Sequence, residues 1–194
     1  MRSPIVYCGP MWGGKTEALI SRLVRAELQN IPVLAVQPKA NLRYQTHDLR
    51  AHSGASFPAH PIEHGEELSE LVRRLEPQVV GIDEFFMIPG AVQAVQRLMA
   101  QKCKVVVATL DMDAEARVWE EVAQLLGLAE EVHKCPAVCA RCKSDAYYSF
   151  KKAGMPKERV VVGAGDIYEP RCYACFVRGQ QAKQAEEGGD SLFR

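Results

Sequence analysis

The stretch Gly9-Pro10-Met11-Trp12-Gly13-Gly14-Lys15-Thr16 fits the pattern G-x-x-x-x-G-K-[ST], a phosphate-binding loop whose mechanism demands a strand before it and a helix after it. Both flanks are present. Ile5–Cys8 is a continuous apolar run, as expected of a strand buried on both faces. The residues after Thr16 carry a helical apolar period in which Leu19, Leu23, Val24 and Leu28 are read as one face. In such a loop the glycines let backbone N–H groups curl around phosphates at a helix N-terminus. Lys15 is expected to reach the β- and γ-phosphates of ATP, and the Thr16 hydroxyl to face magnesium.

Three further apolar runs, Val33–Val36, Val79–Asp83 and Val105–Thr109, read as strands. Helical faces are expected at Val92, Val95 and Met99 and at Val118, Val122 and Leu125. Strand–helix alternation predicts an α/β fold: a P-loop parallel sheet covered by helices, over residues 1–133. The segment from Gln37 to Pro61, with three His and three Pro, breaks the rhythm and reads as a long irregular connection, functional or disordered. Residues 134–178 are expected to form a small separate lobe. The Gln-, Glu- and Gly-rich residues 179–194 read as a disordered tail.

Val79-Val80-Gly81-Ile82 ends in Asp83-Glu84, the acidic element that a P-loop enzyme places at the same sheet edge as its phosphate loop. Asp83 is expected to hold magnesium and Glu84 to act as general base toward an acceptor hydroxyl or a water.

Four of the seven cysteines form two C-x-x-C pairs, Cys139/Cys142 and Cys172/Cys175, with 29 residues between them. Four thiolates can close one tetrahedral structural zinc site, although the gap is longer than in compact zinc ribbons. Cys8, Cys103 and Cys135 have no spaced partner and read as small apolar residues. Lys+Arg and Asp+Glu balance at 24 each, so nothing in the charge favours stable nucleic-acid binding. No apolar run is long enough to span a bilayer, and the start Met1-Arg2-Ser3-Pro4 lacks a signal-peptide pattern. A cytoplasmic protein is expected.

Taken in this order from about Ile5 to Phe176, these motifs resemble those of the type II thymidine kinases, the zinc-bearing tetrameric family. That family's loop reads Gly-Pro-Met-aromatic-small-Gly-Lys-Ser/Thr, as Gly9, Pro10, Met11, Trp12, Gly13, Gly14, Lys15 and Thr16 do. The resemblance implies that ATP and thymidine, or a related deoxynucleoside, are the substrates, with Glu84 the base at the 5′-hydroxyl. It also implies a homotetramer. Lys39 with Arg43-Tyr44 is similar to a flexible-loop stretch of the family, which places Arg43 with the ATP-binding residues. Val161-Val162-Gly163 and Tyr168 are similar to a lasso that covers the base. Met11, Met87, Leu110, Val161, Gly163 and Tyr168 are thereby implied to line the nucleoside pocket.

The chain departs from the family where the base is recognised. Met87 and Ile88 stand where the family has two Phe, and Met112-Asp113-Ala114 where it has Gly-x-Phe. An aliphatic pocket wall is therefore expected. Two alternatives use the same ATP site: a P-loop ATPase with a zinc interaction lobe, and a paralogue that holds nucleotide without turnover.

Overall fold

The computed structural model describes residues 3–41, 48–156, 158–161 and 167–189, with side chains to 185. Its centre is a six-stranded sheet in the order β5-β2-β6-β7-β1-β8. The strands are β1 (Ile5–Cys8), β2 (Val33–Pro38), β5 (His60–Ile62), β6 (Val79–Ile82), β7 (Lys104–Thr109) and β8 (Glu131–Lys134). Every pairing is parallel. The expected α/β fold is present.

Alternate residues of the central strands serve two cores. Along β7, Val105 and Val107 pack under α2 (Gly65–Leu75), α3 (Ala91–Ala100) and α4 (Glu120–Leu128), while Val106 and Ala108 face α1 (Lys15–Leu28). A strand with both faces covered has no polar alternation, and so the sequence shows continuous Val and Ile. The edge strand β8 reads Glu-Val-His-Lys with every second residue exposed. Too short and polar to stand out, it is missing from the sequence reading, as is α2.

The apolar face expected for α1 is corrected. Leu19, Ile20, Leu23 and Ala26 are buried, whereas Val24 is 36% and Leu28 80% exposed. At about 100° per residue, Leu28 stands on the far side of the helix from Leu19. Val118 is likewise exposed and precedes α4. The irregular connection contains a hairpin, β3 (Asp48–Arg50) and β4 (Ser56–Pro58), before β5. Its Leu49 and Phe57 bury against the α1 side of the sheet.

Beyond Cys135 the chain leaves the sheet. It forms two antiparallel pairs, β9 (Ala137–Val138) with β10 (Asp145–Ala146), and β11 (Tyr148–Lys151) with β12 (Tyr168–Arg171). Helix α5 (Tyr173–Gly189) follows. It carries the chain well past Gln180, where the composition suggested a disordered tail. Ala, Gln, Lys and Glu dominate this stretch, and they are strong helix formers even without an apolar stripe.

Candidate active site

The strand order sets the site. β1, β6 and β7 end at one edge of the sheet, where the phosphate loop follows β1, Asp83-Glu84 follows β6, and Leu110-Asp111 follows β7. Crevices of this kind are where parallel α/β sheets bind ligands.

In the phosphate loop, Lys15 is buried and its Nζ donates to the Pro10 carbonyl at 2.6 Å. This bond ties Lys15 back to an earlier residue of the same loop. The Thr16 hydroxyl donates to the Asp83 carboxylate, 3.1 and 3.2 Å from its two oxygens, so the two groups expected to face magnesium are in contact. Burial first, and the adjacent Glu84 second, raise the Asp83 carboxyl well above the ordinary carboxylate range. A divalent cation or a cationic ligand here would be met by an oxygen that gains from being ionised beside it.

Gly9 and Gly13 are required by close approach. A side chain on Gly9 would overlap the Cys135 carbonyl, and one on Gly13 would lie 2.7 Å from the same oxygen. Cys135 is itself fixed by its N–H, which donates to the Cys8 carbonyl at 2.7 Å. Half-buried Cys135, read from sequence as a filler, thus contributes its backbone to the shape of the loop.

Glu84 has a left-handed backbone, φ 46° and ψ 44°, uncommon for a residue with a side chain and characteristic of functional positions. Its Oε2 is buried and has no hydrogen-bond partner among the described residues. Glu84 lines a pocket of about 560 Å³, open space at its mouth included.

Met11, Met87, Leu110, Val161 and Tyr168, all expected at the nucleoside site, line this one pocket. Gly163 and Arg43 lie outside the described residues, as do Tyr44 and Val162. Lys39 pairs with Glu63 at 3.2 Å on the surface and is not part of the lining.

The expected aliphatic wall is half correct, since Met87 lines the pocket and Ile88 does not. Ile88 is 2% exposed in the core under α3 and does not reach the pocket. Phe86 and Trp119 reach it instead, ring centroids 5.1 Å apart. The sequence reading missed Trp119 and Arg159 altogether. The signal that could have found Trp119 is a large aromatic immediately before α4, in a position the apolar period does not explain.

The cysteine pairs converge. The four sulfurs of Cys139, Cys142, Cys172 and Cys175 lie within 4.8 Å of one another, and those of Cys142 and Cys172 are 3.5 Å apart. Thiolates at about 2.3 Å around a tetrahedral ion are about 3.8 Å apart, so the cluster fits zinc. Although burial opposes its ionisation, Cys139 is lowered below the ordinary thiol range because backbone N–H groups of Cys142, Cys172 and Arg141 point at its sulfur. The lobe grips the phosphate loop directly. Trp12 packs on the cysteine cluster, and Ser149 of β11 accepts a hydrogen bond from the Met11 N–H at 3.1 Å.

Residues 3–176 match the profile of the thymidine kinase family. A thymidine kinase of Porphyromonas gingivalis is 33% identical over 183 residues, covering 94% of this chain and 88% of the relative. One from a Rhodothermus species is 37% identical over 172 residues, covering 88% and 79%. Another, from a Roseiflexus species, is 34% identical, covering 90% and 95%. Overlap with the solved AMPPCP-bound DnaA from Aquifex aeolicus is weak, with a TM-score of 0.43 at 11% identity over 70% of this chain and 41% of that one. The fold assignment rests on the sheet order instead.

Proposed function

The chain belongs to the thymidine kinase family and is a nucleoside-phosphorylating enzyme, and from that premise we propose that it transfers the γ-phosphoryl group of ATP to the 5′-hydroxyl of thymidine or a related deoxynucleoside. The observation that carries this is the position of Glu84. Glu84, whose Oε2 is buried without a hydrogen-bond partner among the described residues, lines a pocket that Phe86 and Trp119 also line, one residue from the Asp83 that touches the phosphate loop's Thr16.

In this reading Gly9, Pro10, Met11, Trp12, Gly13 and Gly14 wrap the phosphates, and Lys15 leaves the Pro10 carbonyl to meet the β- and γ-phosphates. Thr16 and Asp83 hold magnesium, which supplies positive charge against the transferring group when bound with ATP. Glu84 takes the proton from the 5′-hydroxyl as its oxygen approaches phosphorus. Phe86 and Trp119 stack the base, and Met11, Met87 and Leu110 fill the pocket around it. The lasso bearing Val161, Gly163 and Tyr168 covers it and excludes water, and Arg43 joins the ATP side.

Zinc held by Cys139, Cys142, Cys172 and Cys175 is structural, since four protein ligands leave no open position. The lobe of residues 134–178 then serves to present the lasso and brace the phosphate loop. A role in nucleotide salvage, a cytoplasmic location and a homotetramer accompany this reading through the family resemblance. No described helix is long and apolar enough to cross a membrane.

The test is ADP formation by the wild-type protein with ATP and magnesium, measured with and without thymidine. Slow turnover alone and at least tenfold faster turnover with nucleoside is the expected result. Fast ADP release that no nucleoside changes would favour the ATPase alternative.

A further inference from the structure

The lasso arm between β11 and β12 has ties of two kinds. Some travel with the hairpin itself. Lys151 is buried, and its Nζ donates to the Glu158 carbonyl at 2.6 Å and the Pro156 carbonyl at 3.3 Å. Its register partner Tyr168 accepts the Val161 N–H at 3.3 Å. These bonds shape the arm without fixing where it lies.

Arg159 reaches across to the sheet-bearing part of the chain. Its Nε donates to the Asp113 carboxylate at 2.7 Å and its Nη2 to the Val118 carbonyl at 3.1 Å, while the guanidinium lies 3.8 Å over the Trp119 ring. The receiving carboxylate is prepared for it. Asp113 has a fully buried side chain, and it accepts from the backbone N–H groups of Glu115 and Arg117 and from the Arg117 side chain. Two guanidinium groups and two N–H donors hold its carboxyl below the ordinary range in spite of burial. A planar guanidinium that is both paired and stacked is a geometry that lysine cannot reproduce.

We propose that Arg159 is a positioning residue for the acceptor: by fastening the lasso to Asp113 and Trp119, it sets Val160, Val161 and the Trp119 wall in place before a nucleoside arrives. The proposal rests on the nucleoside-kinase reading of the same pocket. A wall assembled in advance lowers the ordering cost that binding must meet. It also keeps water from the γ-phosphate. The contribution therefore falls on nucleoside KM and on acceptor-independent ATP hydrolysis, with kcat and ATP KM nearly unaffected.

The experiment compares wild type, Arg159→Ala and Arg159→Lys in two readouts. The first is amide hydrogen exchange at Val160 and Val161 in the substrate-free protein. The second is steady-state kinetics with thymidine and ATP. For Arg159→Ala the expectation is exchange at least tenfold faster at those two amides and thymidine KM raised about tenfold or more, with kcat and ATP KM within about twofold of wild type. Arg159→Lys keeps the charge but loses the fork, and should recover less than half of either effect. Wild-type exchange at Val160 and Val161 in Arg159→Ala overturns the fastening, whatever the kinetics. A thymidine KM within twofold of wild type overturns the positioning role. If wild type phosphorylates no nucleoside, the kinase reading fails separately, and exchange alone still decides the fastening.

Discussion

Asp83 and Glu84 are adjacent carboxylates with opposite surroundings. Asp83 is buried, hydrogen-bonded to Thr16, and raised by burial and by its neighbour; Glu84 keeps one oxygen unpartnered and lines the pocket. Glu84→Gln preserves shape and removes the base, so turnover with thymidine should fall about 10²- to 10⁴-fold. ATP affinity should stay within about threefold. Stopped-flow ADP release and nucleotide titration separate the two, and a variant with more than a tenth of wild-type turnover would contradict the assignment. Gly13→Ala tests the loop at the same scale. A methyl there meets the Cys135 carbonyl at 2.7 Å and the Pro10 carbonyl at 3.3 Å, both backbone atoms that cannot swing aside. ATP affinity should drop at least tenfold while the circular dichroism spectrum is retained. Unchanged ATP binding would mean that the loop moves away from Cys135 in use.

At the scale of elements, the cysteine pairs form a clasp between the lasso hairpin and the phosphate loop, through Trp12 and the Met11–Ser149 hydrogen bond. Elemental analysis should find one zinc per chain in the wild type and none in Cys172→Ser/Cys175→Ser. Because the clasp braces both substrates' sites, that variant should weaken ATP and thymidine binding together, by about tenfold each. Full zinc content in it would dissolve the four-cysteine site. The clasp was half legible in the sequence. C-x-x-C spacing marks the ligands because chemistry fixes it, but nothing in Trp12 or Ser149 announces a tertiary contact. The same contrast runs through the fold. Strands β1, β2, β6 and β7 could be read because burial on both faces leaves continuous Val and Ile. Edge strand β8 is too short and polar to stand out, whereas α2 carries an apolar face at Leu68, Leu71 and Val72 that is legible in its period and was passed over. In α1 the face was half right, since Leu19 and Leu23 are buried while Val24 and Leu28 are apolar but turned to solvent.

For the molecule as a whole, the site is assembled from segments far apart in sequence. Met11 follows β1, Glu84 follows β6, Trp119 precedes α4, and Val161 and Tyr168 come from the lasso hairpin. The phosphate loop and the acidic pair were legible because phosphate chemistry constrains residue type and spacing at once. The pocket was legible only in part. Met87 was foreseen beside Ile88, yet the turn after Glu84 sends Phe86 and Met87 to the pocket and Ile88 to the core. Phe86 and Trp119 therefore join Met87 in a mixed wall where the local sequence suggests an aliphatic one, and only tertiary structure brings those two rings together. The proposed reaction is tested most directly by following ATP labelled at the γ-phosphate, with magnesium and thymidine present, and identifying the labelled product. Label in thymidine 5′-monophosphate or a related deoxynucleoside monophosphate, one per ADP formed, is the predicted result. Label appearing as inorganic phosphate at the same rate with and without every nucleoside offered would contradict it.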